Sequence, residues 1–342
     1  MNTITRRTAL GGLGVSALIA AGPAAAAAAL PVRVGFVPVI GASALFVLDG
    51  AGWAKQAGLS LSMTRFESGP AAIQALASGT LDLLAIGIAP VAVAFSKGLD
   101  VRVVSAAGTG GSAFLASPDL GNALKAAGAD RAKAFADLHR KLGAPVKLAT
   151  LPPGAVPTVA LKYWLFKTGH VAPADVQIVS LGIGAVQQAM LSHSVAGGTV
   201  LEPSATVVRA RDPSIVTVAT ASQMFPDIPG VVIASTGKFG KAHPKALQTL
   251  VGLVIKATDL IKTHPEQAAP YVHAALGAGL IDTATMLRAL KSPAAGFISD
   301  PNAIIAPTRA MLAYEVEIGD FTKAPKIEGL FDTRWWNKAK AG

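Results

Sequence analysis

Residues 68–90 constrain the architecture more than any other stretch of the chain. Gly69-Pro70 can open a helix, because proline at the first helical position sacrifices no hydrogen bond and the glycine accepts the cap geometry. Ile73, Leu76 and Ala77 then fall on one face, and Gly79 ends the helix. The run 81–86 is almost continuously apolar, as expected of a strand covered on both faces of a parallel sheet. Gly87-Ile88-Ala89-Pro90 repeats the opening, predicting a second helix over 91–97 that stops at Gly98. In open α/β sheets, such loops stand at the carboxyl ends of the strands, where bare helix amides face small ligands.

The unit recurs along the chain. Strands are expected at 32–37, 59–66 and 101–106, with a loop at 38–43 and a helix at 44–55 that offers Leu45, Leu48 and Trp53 to the core. Gly108-Thr109-Gly110-Gly111-Ser112-Ala113 matches a dinucleotide fingerprint, but no helix opens after it, and the glycines read as a flexible crossover into a second domain. A helical region at 119–142 precedes strands at 146–150, 176–181, 195–201 and 215–220, alternating with helices at 157–168, 185–193 and 205–211. The β-branched segment 231–235 reads as a return path, and mostly helix follows from Lys241.

Length permits two domains: 342 residues can bury two cores. The absence of cysteine excludes disulfides, thiolate metal sites and a cysteine nucleophile. Net charge is +10, with the basic residues scattered and aromatic content at 6%, which argues against nucleic acid. Arg6-Arg7 precedes an uncharged run that ends in alanines at 24–29, so residues 1–29 read as a cleaved export signal resembling a twin-arginine leader. The mature product is expected in the periplasm. The six histidines show no metal-binding spacing, Ser43 lacks the last glycine of a nucleophile elbow, and no P-loop occurs. No catalytic residue, metal or cofactor is expected.

Four segments carry a resemblance to a known family. They are Val34-Gly35-Phe36-Val37-Pro38, the run 75–82, Gly87-Ile88-Ala89-Pro90, and the run 191–203 that ends in Leu201-Glu202-Pro203. The last is similar to the family's L-S-G-x-x-D-A-A-x-x-W-E-P, with His193, Ala196 and Leu201 in place of Gly, Asp and Trp. The family is that of the periplasmic solute-binding proteins of ABC importers for nitrate, sulfonate and taurine, which share a domain with thiamine-pyrimidine synthesis proteins. The resemblance implies an α/β, type II-like fold of two Rossmann-like lobes joined by a two-crossing hinge. It implies a small, anionic ligand, with ABC permease and ATPase subunits as partners. Residues 30–111 and 232–342 would form lobe I, and 112–231 lobe II. Ile40, Gly41, Ser43, Ser68, Gly69, Ile88 and Ala89 would line one wall of the cleft. Gly154, Thr158, Gly184, Glu202 and Ser204 would line the other. No arginine lies in these loops, so helix amides and hydroxyls would hold an anion, with Arg65, Lys162 or Arg209 farther out. Two other readings are a sensor subunit and a pyrimidine-synthesis enzyme; the enzyme family's cysteine-rich motif is absent from a chain without cysteine.

Overall fold

The computed structural model describes residues 28–277 and 281–341, so nearly all of the proposed leader lies outside the described residues. The first run comprises β1 (Leu30–Phe36), α1 (Ser43–Gly50), α2 (Trp53–Gln56), β2 (Leu59–Arg65), α3 (Gly69–Ala77), β3 (Leu83–Gly87), α4 (Ile88–Ser96) and β4 (Val101–Ala106). The second comprises β5 (Thr109–Gly110), β6 (Ser112–Ala116), α5 (Pro118–Ala127), α6 (Arg131–Leu142), β7 (Val146–Thr150), α7 (Val156–Lys162), β8 (Val176–Ser180), α8 (Ile183–Leu191), β9 (Gly197–Leu201), α9 (Ser204–Arg211), β10 (Val216–Thr220) and α10 (Ala221–Met224). The third comprises β11 (Val231–Thr236), α11 (Gly237–Ala242), α12 (Pro244–Thr263), α13 (Pro265–Leu276), α14 (Thr283–Leu290), β12 (Ala295–Gly296), α15 (Ile305–Glu317) and α16 (Arg334–Ala341).

These elements build two five-stranded sheets, ordered β2-β1-β3-β11-β4 and β10-β6-β9-β7-β8. In the first, β1 runs parallel to β2 and β3, while β11 lies antiparallel between β3 and β4. In the second, β7 runs parallel to β8 and β9, and β6 is antiparallel to β9 and β10. The chain passes between the sheets at 107–111 and again at 221–230. This is the expected two-lobed α/β architecture with two crossings. The sheet centres are dry because the strands are apolar on both faces: Leu83, Leu84, Ala85 and Ile86 of β3 are fully buried, as are Phe114, Leu115 and Ala116 of β6.

Several local expectations are corrected. The helix expected over 44–55 breaks at Gly52, whose φ of 72° ends α1 and restarts the chain as α2. In α3 the core face carries Ala72 and Leu76, an i, i+4 pair with Ile73 and Ala75 half-buried at its margins, and Ala77 falls outside that stripe and is exposed. The helix over 157–168 gives way at Tyr163 to a wider, π-type turn over Tyr163–Lys167. The glycine crossover at 108–111 is tied down: Gly110 N–H donates to Ile228 O at 3.1 Å and Gly111 N–H to Ala294 O at 2.9 Å. It leads at once into β6, an inner strand of the second sheet that the apolar pattern alone did not reveal. Segment 231–235 is likewise an inner strand rather than a simple return path. Among the described residues, no helix is long and apolar enough to cross a membrane.

Candidate functional site

Loops from both sheets converge on one cleft of about 80 Å³. The loop after β1 contributes Val39, Ile40 and Gly41, and the entry to α3 contributes Ser68, Gly69 and Pro70. From the second sheet come Leu151 and Gly154 to Pro157, Ile183 at the start of α8, and Leu201 at the end of β9. The crossing segments 108–111 and 230–231 form the floor, with Phe297 after β12 beside them. The cleft stands at the carboxyl ends of the parallel strands, as the topology requires of an α/β ligand site.

Its chemistry is apolar. Ser68 and Thr109 supply the side-chain hydroxyls of the lining, and among the described residues no ionisable side chain lines it. Ser68 is also the N-cap of α3, its Oγ accepting from Ala71 N–H at 3.4 Å. The remaining polar groups are backbone amides, including those at the first turns of α7 and α8. A neighbouring pocket of about 230 Å³ at the cleft mouth shares Ile183 and is different in character. Arg65, the last residue of the first sheet's edge strand β2, and Arg211, at the end of α9, both line it, with Gln187, Gln188 and Ser204. Arg65 is held by Glu67 at 3.1 Å.

The twelve residues expected at the walls divide into three groups. Ile40, Gly41, Ser68, Gly69 and Gly154 line the cleft. Gly184 and Ser204 line the mouth pocket. Ser43, Ile88, Ala89, Thr158 and Glu202 are turned into the core and are at most 1% exposed. Helix phase explains Ile88 and Ala89: Gly87 and Pro90, three apart, face the cleft, so the two residues between them pack inward. Thr158 Oγ1 donates to Leu151 O at 2.6 Å and lies 3.2 Å from Thr150 Oγ1, so it braces the loop from behind. Glu202 is a structural carboxylate whose Oε2 accepts from Thr206 N–H at 3.0 Å, with Arg209 at 3.6 Å. Lys162 and Arg209 are therefore occupied, Lys162 by Asp320 and Arg209 by Glu202.

Glu202→Ala should lower stability by about 1–3 kcal/mol, since it strands the buried amide of Thr206, and should leave solute affinity within threefold. Urea midpoints and calorimetric titration would check both; a carboxylate that contacts solute would give the reverse pattern.

Sequence reasoning missed the apolar lining, namely Leu151, Val156, Ile183, Val231 and Phe297. One signal was present. Leu201 stands where the resembled motif has tryptophan, and its side chain lines the cleft.

Comparison with known proteins accords with this geometry. The structure resembles that of the periplasmic nitrate-binding protein NrtA of Synechocystis, with a TM-score of 0.77 and 14% identity over 91% of this chain and 88% of that one. It also resembles the ligand-binding component of an ABC-type import system of Staphylococcus aureus solved with zinc bound, with a TM-score of 0.75 and 13% identity over 91% and 99% of the two chains. A Brucella abortus relative, provisionally named a binding protein, is 25% identical over 253 residues, 70% of this chain and 69% of its own. The NMT1-like family profile matches residues 25–277, and on that match the chain belongs to the NMT1-like family.

Proposed function

We propose that this protein is the extracytoplasmic solute-binding component of an ABC importer, closing two lobes around a small solute and presenting it to permease and ATPase subunits. The observation that carries the reading is the cleft itself: one apolar cavity walled by loops from both sheets, with the chain crossing twice at its floor. Two crossings form a hinge, and closure about a hinge is how such an arrangement encloses a ligand. Residues 30–111 with 232–342 act as one lobe and 112–231 as the other, after removal of an export signal at 1–29.

The solute carries an apolar body and one anionic end. The body matches the uncharged cleft, and the end matches the mouth pocket, where Arg65 and Arg211 approach from opposite sheets. Calorimetric titration with butanesulfonate, butyrate, 1-butanol and nitrate tests this. One of the two amphipathic anions should bind at least tenfold more tightly than the alcohol or nitrate. Equal or tighter binding of the alcohol would remove the anionic end from the reading, and preference for nitrate would remove the apolar body.

A further inference from the structure

Away from the cleft, at the other end of α7, a cluster of contacts around the carboxyl end of α15 is unexplained by solute binding. Glu315 is fully buried, and neither carboxyl oxygen has a hydrogen-bond partner. Its neighbour Tyr314 is also buried, with an unpartnered hydroxyl, and its ring meets Tyr163 edge-on at 4.9 Å and Phe225 at 6.1 Å. Beside them Lys162, the last residue of α7, gives its ammonium to both oxygens of Asp320, at 2.7 and 2.9 Å. Lys167 in the π-type turn pairs with Glu317. The carboxyl end of α15 is thus clamped onto α7, and α7 presents its first turn, Val156 and Pro157, to the solute cleft.

A buried carboxyl without partners is tolerable only when neutral, because an ionised one would lose its hydration without compensation. Burial, reinforced by Asp320 and opposed by Lys162, pushes Glu315 up to about 8. The other groups around it are few. α7 brings Lys162 as its one ionisable side chain, and α4 and the short turn at Asn302–Ile304 bring none. α15 itself adds Tyr314, Glu317 and Arg309, the last of which pairs with Glu328. If Glu315 ionises, two carboxylates compete for the single ammonium of Lys162.

We propose that Glu315 is a positioning residue: while its carboxyl is protonated the pair of Lys162 and Asp320 beside it holds α7 against the end of α15, and on ionising it competes for Lys162, releases α7 and loosens the cleft wall that the first turn of α7 forms. The sign follows from linkage. A group that keeps its proton in the clamped state and loses it when released favours the clamp at low pH, and favours release up to tenfold more for each pH unit between its ordinary carboxylate value and its clamped value of about 8, levelling off above that. The effect on solute affinity rests on the function proposed above; the effect on α7 does not.

Hydrogen exchange of the amides of residues 156–162, corrected for intrinsic rates, is the test, run at pH 7 and pH 9 on wild type, Glu315→Gln and Glu317→Gln. Protection in wild type should fall about tenfold between the two, and Glu317→Gln should fall likewise. Glu315→Gln should stay within twofold; if it fails to fold, Glu315→Met should show the same flat profile. A wild-type fall shared by the neutral variants, or no fall in wild type, overturns the proposal. Affinity for whichever of butanesulfonate and butyrate binds should weaken in parallel in wild type and Glu317→Gln, and should hold in Glu315→Gln. If that anion binds but its affinity ignores pH while protection falls, the link from α7 to the cleft is wrong. If neither butanesulfonate nor butyrate binds at either pH while protection still follows Glu315, the solute reading fails and the positioning role stands.

Discussion

Gly87→Leu should abolish solute binding while leaving the fold intact. Gly87 closes β3 and lines the cleft, and its φ of −57° lies where any residue is comfortable. A Cβ built there meets nothing nearer than Val156 Cγ2 at 3.6 Å, on the opposite wall. The branched end of a leucine would therefore project across the gap into a cleft of about 80 Å³. Affinity for whichever anion of the probe panel binds should drop by more than tenfold, ~1.4 kcal/mol or more. The melting temperature should move by only a few degrees, and retained affinity in a folded variant would place the site elsewhere. Two other glycines of the cleft are worse probes. A Cβ on Gly69 would strike Pro90 Cγ at 2.6 Å, and Gly154 sits at a φ of +77°, so bulk at either perturbs the fold as well as the cleft.

The largest loss of stability is expected from Phe114→Ala. Phe114 is fully buried in β6, between β9 and β10, and its ring stacks obliquely on Trp164 at 5.0 Å. Gly197 in β9 has no side chain where a Cβ would come within 3.0 Å of the Phe114 ring, so the phenylalanine fills space that the neighbouring strand leaves for it. Truncation opens a cavity in a sheet centre that has little freedom to collapse, costing ~3–5 kcal/mol. The denaturant midpoint should fall with the slope unchanged. A loss below about 1 kcal/mol would mean that β6 is not part of the cooperative core.

That strand also marks the limit of what could be read from residues alone. β1, β3 and β7 were legible because each is an apolar, β-branched run ended by glycine or proline, a pattern that both local preference and burial favour. β6 was not, since Ser112 to Ala116 is short and lies between a glycine cluster and Ser117-Pro118, which locally favour a loop. Only pairing with β9 and β10, from residues far along the chain, makes it a strand. The cleft divides in the same way. Its loops were legible from glycine and proline, yet which side chains face inward depends on helix phase, and a shift of one residue exchanges Ile88 and Ala89 for Gly87 and Pro90. Glu202 lies behind the wall, accepting from an amide in the first turn of α9, a position that a carboxylate after a strand does not reveal in sequence.

The insertion of β11 between β3 and β4 has a consequence for how the chain is made. All five strands of the second sheet lie within residues 112–220, a single uninterrupted stretch, whereas the first sheet lacks an inner strand until Thr236 has been synthesised. Until then β3 and β4 each carry an open, apolar edge of the kind that pairs with other chains. The lobe that begins the protein is thus the one that must be finished last, and every copy in mid-synthesis carries two sticky edges that only its own later residues can cover.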